Sequence, residues 1–221
     1  MSRGLGDVYK RQEYKLPIGC DVPETIILAD GDFPSHPLAL EWLRQCPYVV
    51  CCDGAANTYI RSGRMPEAIV GDGDSLLPDI KERYASLIHS EAEQETNDLS
   101  KAFRFCLSQE RKRITIMGAT GKREDHTIGN VSLLADYMEQ AEVSMMTDYG
   151  IFVPIREDSM FESYIGQQIS VFNMNSTALS AEGLAYPLSV FTNWWQGTLN
   201  EALARHFIIR TEGKVLVFRV F

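Results

Sequence analysis

Between residues 25 and 147 short β-rich runs alternate with amphipathic stretches, and few folds accept that order. A strand, a helix and a second strand running the same way build a parallel sheet with helices on its faces. Strands are predicted over 25–29, 48–52, 67–70, 87–90, 113–117 and 142–147, and helices over 37–45, 55–62, 79–85, 97–108 and 125–139. Ser35 is the expected cap of the first helix, with Pro37 in its first turn. After Tyr149-Gly150 the pattern turns to short alternating runs punctuated by Gly166, Gly183, Gly197 and Gly213. Strands are expected there over 168–173, 188–191, 206–211 and 214–221, joined antiparallel by turns. The fold class is therefore α/β: a mostly parallel, Rossmann-like α/β domain (25–148) followed by an all-β sandwich domain (149–221). Residues 1–15 lack an apolar h-region, and 1–24 are expected to be an extension, disordered or foreign to the native sequence, outside the fold.

Composition narrows the function. A chain of 221 residues with 45% hydrophobic content can bury a real core. Its formal net charge of −9 argues against a nucleic-acid or anionic-membrane surface. No apolar run approaches the ~18 residues a membrane helix needs. Five cysteines without C-x-x-C spacing read as reduced thiols of a cytoplasmic protein, not as a disulfide frame or zinc site.

The acidic run Gly71-Asp72-Gly73-Asp74-Ser75 follows the apolar run Ala68-Ile69-Val70. Parallel strands collect ligands at their carboxyl ends, and two carboxylates this close repel unless they share a cation. A surface turn explains the same run, since Gly, Asp and Ser are turn formers. A calcium loop of the EF-hand type is excluded by Leu77 and Arg83 at its glycine and glutamate positions. Other expected strands end similarly, in Asp30-Gly31-Asp32, Asp53-Gly54-Ala55-Ala56-Asn57 and Gly118-Ala119-Thr120-Gly121-Lys122-Arg123. All of these turns fall on one sheet edge. Asp98, in Gln94-Glu95-Thr96-Asn97-Asp98, is a third acidic candidate beside Asp72 and Asp74, with Thr96 or Asn97 as helix cap. Gly118, Thr120, Gly121, Lys122 and Arg123 offer backbone amides and two cations to phosphate without the Walker spacing. Asp125 either orients Arg123 or merely opens a helix, and His126 reads as a helix-surface residue.

In order and spacing, Asp53-Gly54-x-x-Asn57, Gly71-Asp72-x-Asp74-Ser75, Gln94 with Asp98, and Gly118-x-x-Gly121-x-Arg123-x-Asp125-His126 resemble the thiamin pyrophosphokinase family. The resemblance continues through Gly166-x-x-Ile169-Ser170, Gly183-Leu184-x-Tyr186 and Gly197-Thr198-x-Asn200-Glu201. The pattern departs at Asn97, Tyr186 and Leu199, where Thr, Trp and Ser occur in other members. The resemblance implies transfer of pyrophosphate from ATP to thiamin, with Mg²⁺ on Asp72, Asp74 and Asp98. It implies that Asp53, Gly54, Asn57, Gln94, the Gly118–Arg123 loop and Asp125 serve the nucleotide and its phosphates. It places Gln94, Tyr186, Thr198 and Asn200 on the thiamin side, and implies a homodimer with active sites at the subunit interface. From the residues alone, the α/β half also suits a metal-dependent phosphohydrolase, a pyrophosphokinase for another alcohol, or a non-catalytic sensor.

Overall fold

The structure is a computed structural model, and it describes residues 11–17, 21–91, 93 and 95–221. The described residues divide into two compact units, those of 17–154 with 218–221, and 11–16 with 155–217. In chain order, β1 is Gln12–Tyr14, β2 Thr25–Leu28, α1 Pro37–Gln45, β3 Val49–Cys52, α2 Ala55–Arg61, β4 Ala68–Gly71 and α3 Pro78–Arg83. There follow β5 Ile88–Ser90, α4 Asp98–Ser108, β6 Arg113–Met117, α5 Glu124–Tyr137, β7 Glu142–Met146 and β8 Gly150–Ile155. The remaining strands are β9 Ser159–Glu162, β10 Gln168–Asn173, β11 Leu179–Glu182, β12 Asn200–Glu201, β13 His206–Thr211 and β14 Val215–Val220.

In the first unit the sheet runs β5-β4-β3-β2-β6-β7-β8. All of its pairings are parallel except β7 with β8. Strands β2, β3 and β4 are buried at every position, as strands covered by helices on both faces must be. The helices bury one stripe each: Ala39, Trp42 and Leu43 on α1, and Leu99, Ala102, Phe103 and Cys106 on α4, at the i, i+3, i+4 spacing. Phe103 stacks on Tyr137 at 3.9 Å and joins α4 to α5. Strand order reverses between β2 and β6, so the loops after these two strands flank the switch point. The change in pattern at Gly150 marks the end of parallel order within this sheet, since β8 pairs with β7 in antiparallel register.

One sequence expectation changes in this unit. The cap of α1 is His36, whose Nδ1 accepts from the Leu38 amide. Ser35 is instead held by Asp148: its amide and hydroxyl both donate to that carboxylate, as does the His36 amide at 2.9 Å. Phe221, at the chain end, stacks on His36 at 4.5 Å.

In the second unit β1-β9-β13-β11 form one sheet, and β12 pairs with β10 in antiparallel register. Burial alternates along β10 and β13, which marks strands with one face to the core. Part of the segment set aside as an extension belongs to this sheet. β1 pairs parallel with β9, Tyr14 stacks on Phe161 at 4.8 Å, and Phe161 stacks on Phe207 at 5.0 Å. The Tyr14 ring thus finds an aromatic partner 147 residues away in sequence, which no local pattern announces. The strand expected over 188–191 is absent; Leu188 is buried from a non-strand segment, and β11 takes the place in the sheet.

Candidate active site

Asp53 ends β3 and precedes α2 with φ at +30°, a region that costs a non-glycine residue energy and that Asp tolerates better than most. Its side chain is buried, 3% exposed. Oδ2 accepts from the Ser75 amide at 3.1 Å, while Oδ1 is buried without a hydrogen-bond partner. Burial, followed by the charges of Asp98 and Asp72, pushes the Asp53 carboxyl above its ordinary value. Gly71 makes the approach of these groups possible: a Cβ there would lie 2.8 Å from Asp53 Cβ and 3.3 Å from the carboxyl carbon of Asp98. Asp53, Asp72 and Asp98 thus meet at the ends of β3 and β4 and the first turn of α4. Asp74 is exposed on the adjoining turn, its amide donating to Asp72 Oδ1 at 3.1 Å.

The partners of the neighbouring residues give them supporting roles. Asn57 spends its amide on the turn after β4, donating to Ser75 O at 2.8 Å and accepting from the Leu77 amide at 3.0 Å. At Gly54 a Cβ would come within 2.6 Å of Asp30 Oδ2, so the absence of a side chain admits that carboxylate. Asn97 caps α4 by accepting from the Ser100 amide, which fixes the helix start that carries Asp98. Gln94 lies outside the described residues.

At the switch point the loops after β2 and β6 lock together. The Gly31 amide donates to Gly118 O at 2.6 Å and the Asp32 amide to Thr120 O at 2.9 Å. Gly118 sits at φ +64° with Ala29 O 2.6 Å from where a Cβ would stand, so two requirements for glycine coincide. Asp32 packs its carboxylate on Gly121. Lys122, expected to face phosphate, directs its ammonium to Asp30 O at 2.8 Å and Asp30 Oδ1 at 3.1 Å. Arg123 makes a two-point pair with Asp125, Nε to Oδ1 at 3.0 Å and Nη2 to Oδ2 at 2.5 Å. That fork holds the Asp125 carboxyl down to about 2. Both side chains remain more than 60% exposed, so the pair is open to a solute. Asp125 therefore both orients Arg123 and stands in the first turn of α5. His126 is exposed.

Two residues here escape the motif reading. Asn130 on α5 donates to Ala119 O at 2.9 Å and accepts from Asn97 Nδ2 at 3.1 Å, tying the glycine loop to the start of α4. Lys101 is buried and donates to Asp98 Oδ1 at 3.1 Å. Its spacing of three residues from Asp98 on one helix is the signal that would have found it.

Among the described residues no group of three or more His, Cys, Asp or Glu is assembled in ligating geometry for a metal. The donor set itself fits a hard cation: every candidate atom is a carboxylate oxygen, and buried Asp53 Oδ1 is left without a partner.

In the second unit Asn200 is buried and clamps Tyr186 by its backbone, accepting from Tyr186 N at 3.0 Å and donating to Tyr186 O at 2.8 Å. The Tyr186 ring is 65% exposed. Thr198 donates to Trp195 O at 2.7 Å, and Trp194, Trp195 and Leu199 are exposed nearby in sequence.

Residues 39–146 match the family model described as "Thiamin pyrophosphokinase, catalytic domain", and residues 150–218 the one described as "Thiamin pyrophosphokinase, substrate-binding domain". A thiamine pyrophosphokinase of Oryza sativa subsp. japonica is 30% identical over 129 residues, which are 47% of this chain and 49% of that protein. The chain spans about half the length of the curated relatives it matches. Among solved structures, thiamin pyrophosphokinase from Candida albicans superposes with a TM-score of 0.77 at 18% identity, covering 96% of this chain and 93% of that one. Thiamine pyrophosphokinase from Bacillus subtilis gives 0.74 at 21%, covering 89% and 98%. These likenesses establish a shared mixed α/β fold with large sheets. With both models matched in succession over most of its residues, the chain belongs to the thiamin pyrophosphokinase family.

Proposed function

We propose that the protein transfers the pyrophosphoryl group of ATP to the hydroxyethyl oxygen of thiamin, giving thiamin diphosphate and AMP. The observation that carries this reading is the convergence of Asp53, Asp72 and Asp98 around Gly71, in a chain that matches both family models. In this reading a Rossmann-like α/β domain (25–148) serves ATP and a β-sandwich domain (149–221) serves thiamin. Two subunits share each active site, and the enzyme works in the cytoplasm. Among the described residues no helix is long and apolar enough to cross a membrane.

Asp72, Asp74 and Asp98, with the open oxygen of Asp53, would hold Mg²⁺, which supplies charge neutralisation on phosphate oxygens when bound. The exposed fork of Arg123, aimed by Asp125, offsets charge on the phosphates as the thiamin oxygen attacks the β-phosphorus and AMP departs. The interlocked loops at Gly31 and Gly118 hold the amides of 118–121 in place for the same oxygens. The hydroxyl proton passes to the carboxylate cluster, with Asp98 the first acceptor. Tyr186, its backbone clamped by Asn200, offers an aromatic face to the cationic thiazolium. The test is AMP formation from ATP with Mg²⁺, with and without thiamin. AMP that appears only with thiamin, matched by thiamin diphosphate, is the expected result; equal AMP without thiamin overturns the reading.

A further inference from the structure

The helix that carries Asp98 also buries a lysine. The Lys101 side chain is 3% exposed, whereas the Asp98 side chain it touches is 35% exposed, and Nζ stands 3.1 Å from Asp98 Oδ1. Lysine is almost never fully buried without a partner, because desolvation of an ammonium is costly. The contact with Asp98 Oδ1 at 3.1 Å supplies the partner that a buried ammonium needs. Leu99, Ala102, Phe103 and Cys106 of the same helix already fill the core stripe, so a charged residue among them is not there for packing alone. It faces Asp98, whose carboxyl carbon and that of Asp53 both lie 3.3 Å from where a Gly71 Cβ would stand.

We propose that Lys101 is the built-in counter-charge of the carboxylate cluster and a positioning residue for Asp98, and that its fixed positive charge sets how tightly the cluster takes a divalent cation. By occupying Oδ1 of Asp98 it leaves Oδ2 of Asp98 and Oδ1 of Asp53 for other partners. The Lys101 ammonium lowers the net negative charge at Asp98, so the cluster holds a cation less strongly than its acidic residues alone would. This inference rests on the metal reading of the proposed function, yet concerns a property that the thiamin reaction does not report.

The experiment titrates Mn²⁺ alone into the full chain, without nucleotide or thiamin, and follows free Mn²⁺ by electron paramagnetic resonance. Lys101→Met, which keeps the length and loses the charge, is expected to bind Mn²⁺ about 5- to 10-fold more tightly than the unaltered chain at low ionic strength. Lys101→Arg, which keeps the charge, is expected to stay within about twofold. A lysine that only fills space predicts unchanged or weaker binding in Lys101→Met, and that result overturns the proposal while leaving the proposed function standing. Absence of Mn²⁺ binding by the unaltered chain would overturn both the metal reading and this inference. If Lys101→Met does not fold, circular dichroism of Asp98→Asn/Lys101→Met decides: recovery of the fold supports a counter-charge role, and continued unfolding overturns it.

Discussion

At the scale of single residues, Asp53 combines backbone strain, burial and like-charge neighbours, a combination that stability alone would not keep. Its raised carboxyl means that folding favours the protonated form. The cost is absent below the ordinary carboxylate pKa and complete once pH exceeds the folded-state value. Asp53→Asn should therefore stabilise the protein by about 1 kcal/mol at pH 7, with the advantage gone by about pH 3. Urea unfolding at the two pH values measures this, and the same variant should lose at least ~10-fold in turnover, consistent with a stability–function trade. Arg123 is a case of geometry and not of charge alone. Arg123→Lys keeps the cation but cannot reproduce the two-point fork, so a fall of about 10²-fold in kcat is expected in the AMP assay, with little change in melting temperature because the pair is exposed.

At the scale of elements, the start of α1 is held by a residue from the far end of the unit. Asp148 accepts from Ser35 N, Ser35 Oγ and His36 N, and its carboxyl lies below the ordinary value. Burial opposes that shift, and the hydrogen bonds from Ser35 and His36 overcome it. A depressed carboxyl contributes stability above its unfolded pKa and loses it as pH falls through the folded one. Asp148→Ala should cost about 1–2 kcal/mol at pH 7 and much less at pH 2, as measured by urea unfolding. The same contact shows what a sequence can disclose. Ser35 followed by Pro37 has the local form of a helix cap, and 113 residues separate it from the carboxylate that takes it. Elements whose cause is local were legible: the buried β2, β3 and β4, the apolar stripes of α1 and α4, and a cap of α4 at Thr96 or Asn97, which is Asn97. Elements with distant causes were not. β1 exists because β9 offers an edge and Phe161 a ring, and 188–191 lies outside the strands.

At the scale of the whole molecule, the candidate site was legible as a list of carboxylates at strand ends, because parallel topology sends every such turn to one edge. The division of labour within that list was not. Asp53 emerges as the buried member, Asp74 as the exposed one, Lys122 as Asp30's partner and Asn57 as a brace for the turn after β4; the Lys122 contact spans 92 residues and that of Asp53 with Ser75 spans 22. The family reading adds a claim about assembly that is open to a direct test. If Asp72 acts in one subunit and Tyr186 of the other completes the same site, Asp72→Asn and Tyr186→Ala are each inactive for different reasons. Mixed under conditions that exchange subunits, equal amounts should form half heterodimers, each with one intact site of two. The expected recovery is about a quarter of the unaltered activity in a symmetric dimer. Recovery should track the heterodimer fraction separated by differential tagging. A mixture that stays inactive despite proven exchange would place Asp72 and Tyr186 in one site of a single chain, and would leave the pyrophosphoryl chemistry to be carried without a shared interface.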